Sequence, residues 1–466
     1  MPSKKRSLLA ASGAGGAALY VEDVFSTYLY TGNGSTQTIT NGIDLAGEGG
    51  LVWIKNRDAA DGHVLTDTIR GAGEVLASDS TAAEVTNADT TTAFNAAGFS
   101  IGADVIVNTS TEDYASWTFR KAEKFFDVVT YTGTGSATTF SHALGVVPAT
   151  IIVKRTDTTG DWQVYHKDLT SNAYKLVLNT TAAQASDSTA WNSTTPTDAV
   201  FSVGTNATVN ASGGTYVAYL FASDAGGFGA DGSENIVSCG SFTTDGFGNA
   251  TVNLGYEPQF LITKTSTSGD AWVTHDTMRG WSNEGDFGRY RILKPDVFNA
   301  ETTTIGASPS STGFYCNGYF GASTTYIYIA IRRPMKTPES GTEVFAIDTR
   351  GSVDLLEPVY RSGFPVDMAL WRDIDSVADM KISTRLMQGK QLLTSTTGAE
   401  TTSGSSLFDY NNGWHDGPVT LPDQYSWMFK RATGFFDVVA WSGAPSTQNA
   451  VTHGLGVKPE LVILKY

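Results

Sequence analysis

Two short stretches carry residue types that could bind or react. Asp67-Thr68-Ile69-Arg70-Gly71 and Asp276-Thr277-Met278-Arg279-Gly280 each place an Asp and an Arg three residues apart, ahead of a Gly. A guanidinium beside a carboxylate could grip a sugar or a ligand carboxylate through paired charged hydrogen bonds. The same spacing closes a turn, with the Asp capping backbone N–H groups and the Arg paired to it. The turn is the preferred reading.

The remaining candidates read as structural. The histidines are scattered; His142 and His453 precede Leu-Gly in matching slots, and His166 and His275 fall near each other in theirs. Single histidines in separate domains cannot share a metal, so turn hydrogen bonding is expected of them. Gly227-Phe228-Gly229-Ala230-Asp231-Gly232 matches G-x-G-x-x-G, but leads into a strand pattern at 235–239 where a dinucleotide site needs a helix. It is read as a loose linker. No phosphate-binding loop, nucleophile elbow or zincin motif is present in the sequence. Trp162, Trp191, Trp281 and Trp414 lie near expected loops, where exposed rings could stack on sugars or could belong to cores and interfaces. No carboxylate pair can be singled out for glycoside hydrolysis. Cys239 and Cys316 are expected as buried free thiols. Asn33, Asn108 and Asn206 sit in Asn-x-Ser/Thr triplets, which matter only in a eukaryotic secretory route. These readings assign no catalytic residue, no cofactor, no metal and no ligand site.

Something must position these residues, and the chain announces it by repetition. A strand pattern ending in a base recurs at Lys55, Lys154, Lys264, Arg372 and Lys465, in steps of 99, 110, 108 and 93 residues. A Phe-centred pattern follows late in each unit at Phe99, Phe201, Phe314 and Phe408, and a closing strand pattern at Trp117–Arg120, Tyr219–Phe221, Ile329–Arg332 and Trp427–Lys430. Three markers in one order define a repeated unit of roughly 100 residues. Abundant Thr, Ser, Asn and 49 Gly favour short strands and turns over helices. The expected fold is all-β, a series of antiparallel sandwiches of jelly-roll or lectin-like kind. Alternation such as Trp117 and Phe119 against Thr118 and Arg120 predicts one face in a core and the other in water.

The expected divisions are a flexible arm at 1–22, repeats at 23–123, 124–231 and 232–339, a divergent repeat at 340–433, and opening strands of an incomplete fifth repeat at 434–466. The fifth is expected to be completed by further chain or by a neighbour. Short junctions predict a semi-rigid string, looser at 223–234, whose four globules would span roughly 140 Å. A helical turn is expected within 376–388. Lys4-Lys5-Arg6 and the Gly/Ala run that follows read as a basic docking arm, with a cleaved leader as the alternative. The net charge of −16 argues against nucleic acid as a partner, and no stretch reaches the ~20 apolar residues of a membrane span.

The pattern H-x-L-G-x-x-P, preceded by F-F-D-V-V, stands at Phe125–Pro148 and again at Phe435–Pro459, with a weaker Leu-Gly-x-x-Pro copy at Leu254–Pro258. It resembles repeat domains of tail fibre and other virion proteins of bacteriophages, notably marine ones. The resemblance implies a non-enzymatic structural protein of the phage tail, acting as a multidomain rod in host attachment. It further implies an N-terminal arm on other tail proteins, a homo-oligomer with a trimer favoured, and a host surface glycan as a further partner. The rival expectations are a secreted glycan-binding adhesin and, behind it, a glycan depolymerase.

Overall fold

The computed structural model describes residues 18–465 apart from 283–289, 305, 317, 319, 351–356, 375–376, 388, 404–405, 417–423 and 442–449. Strands make up 41% of the chain and helices 6%, so the protein is all-β with antiparallel pairing throughout.

One sheet plan occurs four times. An opening strand (Phe25–Thr31) pairs with a closing strand (Asp113–Arg120), which pairs with a second strand (Gly50–Asn56), which pairs with a third (Val64–Asp67). Its counterparts are Phe126–Thr132, Thr215–Phe221, Thr150–Arg155 and Gln163–His166, then Val237–Thr243, Thr325–Arg332, Pro258–Thr265 and Val273–Asp276. The fourth set is Phe345–Arg350, Gln424–Phe429, Met368–Asp373 and Lys381–Thr384. A smaller sheet accompanies each, such as Gln37–Thr40, Gly98–Ile101 and Thr91–Asn95 in the first unit. There, Tyr30, Ile39, Ile54, Phe99 and Tyr114 close the space between the two sheets.

The first three units are not beads on a string, and that expectation is corrected. A single core runs through all of them, taking in Trp53 and Phe119, Ile152 and Phe221, Phe260 and Ile329. Phe25 and Phe119 of the first unit lie 5.3 and 5.9 Å from Phe260 of the third, and Phe119 lies 5.6 Å from Phe221 of the second. The three large sheets turn one face each onto a common axis. The predicted water-facing side of the closing strand is corrected too: with Trp117 and Phe119 in the shared core, Ser116 and Thr118 are equally buried, Thr118 accepting from Asn41 Nδ2 within its own unit. Covered on both faces, the second strand has seven successive buried residues, Gly50–Asn56.

Equivalent hydrogen bonds close the ring. The Glu84 N–H of the first unit donates to Thr156 O of the second at 2.9 Å, Gln184 N–H of the second to Ser266 O of the third at 2.9 Å, and Glu301 N–H of the third back to Arg57 O of the first at 2.8 Å. Side chains repeat the cycle. Trp162 Nε1 donates to Ala77 O (2.9 Å) and Trp272 Nε1 to Val177 O (3.0 Å), while His63 Nε2 meets Lys294 O at 3.0 Å. His63 Nδ1 accepts from Trp53 Nε1 at 2.9 Å, so the proton belongs on Nε2 and the third bond is a donation like the others.

Other expectations change at the junctions. The described part of the N-terminal arm is docked: Val21 is fully buried, and Glu22 Oε1 accepts from Met335 and Lys336 N–H at 2.7 and 2.8 Å. The Gly-rich junction is anchored rather than loose, because Phe228 is buried against Phe125 (6.4 Å) and Gly229 N–H donates to Leu19 O. In the fourth unit Trp414, not Phe408, pairs with Tyr360 in the register that Phe99 holds with Ile39; Phe408 stacks on Trp414 at 5.5 Å. The helical turn expected in 376–388 is a 3-10 turn at Arg385–Met387, after a strand. Among the described residues, 434–466 forms no strand. In the complete units the corresponding strands pair with a closing strand some 90 residues later, and no such partner lies within these residues.

Candidate functional site

The Asp/Arg motifs are set where the third strand ends and turns. Asp67 Oδ1 accepts from the N–H groups of Ile69 (3.1 Å) and Arg70 (2.9 Å), and Asp67 Oδ2 takes Arg70 Nε at 2.5 Å. Asp276 repeats this, with Oδ1 accepting Arg279 N–H at 2.8 Å and Oδ2 taking Arg279 Nε at 2.6 Å. Both expected functions of the spacing, capping and ion pairing, are therefore present at once.

The neighbouring unit completes each pair. Tyr219 OH of the second unit donates to Asp67 Oδ2 at 2.9 Å and accepts from Arg70 Nη2 at 3.2 Å. Trp117 Nε1 of the first unit donates to Asp276 Oδ2 at 3.1 Å, with Arg279 5.3 Å from its ring centroid. Tyr219 and Trp117 occupy the same position of their closing strands, opposite Ile152 and Trp53. The other guanidinium nitrogens are equally matched: Arg70 Nη1 to Glu84 Oε2 (2.7 Å), and Arg279 Nη1 to Glu301 Oε2 (3.0 Å). Asp67, Asp276 and Arg279 are fully buried, so this arrangement joins units and presents no face to a soluble ligand.

Glu301 is the busiest of these groups. Arg57 of the first unit holds it in a fork, Nε to Oε2 at 3.1 Å and Nη2 to Oε1 at 2.9 Å, and Arg291 adds a contact at 3.2 Å. Burial alone would raise its carboxyl, but Arg57 and Arg279 overcome that and hold it at about 2. Arg57 and Arg291 also reach Asp409 of the fourth unit, at 3.2 and 3.4 Å. A second cluster ties the fourth unit to the third, where Arg431 grips Glu257 at 2.7 and 2.9 Å.

In the second unit His166 stands where the first and third units have Asp, and Leu169 where they have Arg. Burial pushes the imidazole down to about 4, so it sits neutral, with Nε2 3.3 Å from Tyr328 O of the third unit. His275 lies one residue before the Asp position, not in the His166 slot; burial and Arg279 push it down to about 3. His142 and His453 serve turns, each accepting the Leu N–H two residues on through Nδ1, at 3.3 and 3.2 Å. Gly145 and Gly456 follow with φ of +70°, which those turns require.

Sequence reasoning missed the lysines. Lys55, Lys154 and Lys264 end their strands but point inward and are buried. Lys154 Nζ donates to Gly160 O (2.5 Å) and across the joint to Thr81 O (2.9 Å); Lys264 Nζ donates to Thr265 O (2.9 Å) and across to Thr181 O (3.1 Å). Burial pushes all three ammonium groups down to about 8. Their signal was visible: one residue type at one register in units that vary elsewhere.

Of the two readings open for the loop-proximal tryptophans, burial favours cores and interfaces over exposed sugar-stacking rings. Trp162, Trp191, Trp281 and Trp414 are all buried, and the indole N–H groups of Trp281 and Trp414 donate internally to Ala307 O (2.6 Å) and Ser426 Oγ (2.9 Å). Both cysteines are free and buried. Asn108 is buried, donating to Gly102 O (2.7 Å), and Asn206 caps the helical turn Ala207–Asn210.

Comparison with curated proteins finds no match. A family profile described as Domain of unknown function (DUF7483) matches residues 21–333, the span of the three-unit ring. Over two thirds of its length, the chain belongs to that family.

Proposed function

We propose that this chain is a structural protein of a bacteriophage virion, of the tail-fibre kind, serving host attachment. The resemblance of its Phe-Phe-Asp-Val-Val and His-x-Leu-Gly-x-x-Pro stretches supports the reading. The observation that carries it is the placement of the charged motifs: Asp67, Arg70, Asp276, Arg279 and Glu301 are buried at joints between units, so the chemistry of the repeat is used to hold the repeat together. The reading places the chain in the phage tail, with no catalysis and no cofactor. The basic arm, 1–17 of which lies outside the described residues, docks on other tail proteins, and a host surface glycan is the target of the attached assembly. Units packed around an axis replace the earlier picture of a slender string.

Immunogold labelling of purified virions with antibody to this chain tests the proposal. Label on the tail is expected; label on the capsid face, or on the cell surface of uninfected bacteria, overturns it.

A further inference from the structure

The segment after the fourth unit is seated as the start of the second unit is, contact for contact. Ala432 N–H donates to Phe436 O at 2.9 Å as Ala122 does to Phe126 O, and Gly434 N–H to Leu455 O at 2.7 Å as Lys124 does to Leu144 O. Asp437 ties strand to turn as Asp127 does. Its Oδ1 accepts from Val438 N–H at 3.1 Å and its Oδ2 from Gly454 N–H at 2.5 Å, where Asp127 takes Val128 at 2.9 Å and Ala143 at 2.7 Å. Phe436 lies 5.3 Å from Phe429, where Phe126 lies 5.6 Å from Phe119. Lys465 Nζ crosses to Thr396 O of the fourth unit at 2.5 Å, as Lys154 Nζ crosses to Thr81 O of the first at 2.9 Å. The fourth unit and this segment share a joint of the kind the first two units share.

What differs is the middle. In the second unit, Phe126–Thr132 and Thr150–Arg155 both pair with the closing strand Thr215–Phe221, which lies between them. Their copies, 436–441 and 461–465, have no strand between them among the described residues. Apolar side chains stay open as a result: Val462, Ile463 and Leu464 are 64–77% exposed, whereas Ile151, Ile152 and Val153 are at most 6% exposed. We infer that 436–441 and 461–465 are the walls of a strand-accepting groove, which takes one antiparallel β-strand with the alternating pattern of the repeat's closing strands. Its register follows from the second unit, where Tyr219 stands opposite both Val128 and Ile152; here one residue stands opposite Val438 and Ile463. The strand's last aromatic residue reaches half-buried Phe429 as Phe221 reaches Phe119, at 5.6 Å. A second copy of this chain is not the donor, because each of its four closing strands is already paired on both sides. The occupant is a further strand of the same pattern: the open edges supply main-chain hydrogen bonds, and the apolar residues beside them select its side chains. The inference does not depend on the proposed place in a virion.

Fluorescence anisotropy of a labelled peptide with the sequence of residues 214–222, titrated with the purified 466-residue chain, tests it. Saturable binding is expected, with amide-exchange protection appearing at 436–441 and 461–465. Ile463→Asp, at an already exposed site, should weaken binding at least about tenfold with unchanged circular dichroism. Val457→Asp should leave binding intact, because its counterpart Val147 stays exposed in the complete second unit. A peptide of the same composition in scrambled order should not bind. Absence of binding by the 214–222 peptide overturns the inference, as does equal binding of the scrambled peptide or an affinity unchanged by Ile463→Asp.

Discussion

A guanidinium that has lost water needs partners, and Arg279 finds one for each of its three nitrogens within one joint. Replacing it with Met would leave Asp276 charged and buried without its ion pair. The expected loss is about 3–5 kcal/mol in chemical denaturation; a loss under about 1 kcal/mol would show that the pair is not what holds the joint. Acid should act on the same network through Glu301. Its carboxyl is lowered from 4.5 to about 2 on folding, so it contributes stability that is whole above pH ~4.5 and lost as pH falls toward 2. The contribution is roughly 3 kcal/mol, and Glu301→Gln should flatten the denaturation midpoint across that window. At this scale the Asp-x-x-Arg-Gly stretches were legible as turns from spacing alone. Their third partners were not, because Tyr219 lies 152 residues from Asp67 and no local pattern links them.

The opening, second and closing strands of each unit were legible in order and type, though not in their bounds: the strand expected at 235–239 is Val237–Thr243. Their surroundings were not legible either. A Thr alternating with Trp reads as solvent-facing, but Thr118 is buried between the sheets of its own unit, where Asn41 Nδ2 donates to its hydroxyl at 2.8 Å. The marker at Phe408 misled for a related reason: sequence spacing counts residues, whereas the ladder places Trp414 opposite Tyr360. Each joint between units depends on few groups, which makes it testable. Trp272→Phe keeps the ring and deletes the N–H that reaches Val177 O in the preceding unit. The orphaned carbonyl should cost about 1–2 kcal/mol. Because the ring is closed, the loss should lower the midpoint of the whole first three units, read by far-ultraviolet circular dichroism. A change confined to a separate early transition would contradict the closed ring.

Whether the first three units form one body or a string decides how the molecule unfolds. With a common core, residues 18–334 should unfold in a single transition by fluorescence and circular dichroism alike, and residues 18–231 alone should fail to fold or should aggregate through an exposed axial face. Two separable transitions in the longer fragment, or a stable shorter one, would restore the string. No sequence feature announced the axis: linkers of about four residues fit a ring as well as a rod. Carrying all three sectors on one chain also has a consequence for inheritance. In an assembly of identical subunits every substitution is felt at all symmetric positions at once. Here one sector can change alone, as where His63 stands in for tryptophan, or where His166 and Leu169 replace Asp and Arg. Symmetry supplies the scaffold, and the linkage between sectors leaves each one free to acquire its own surface.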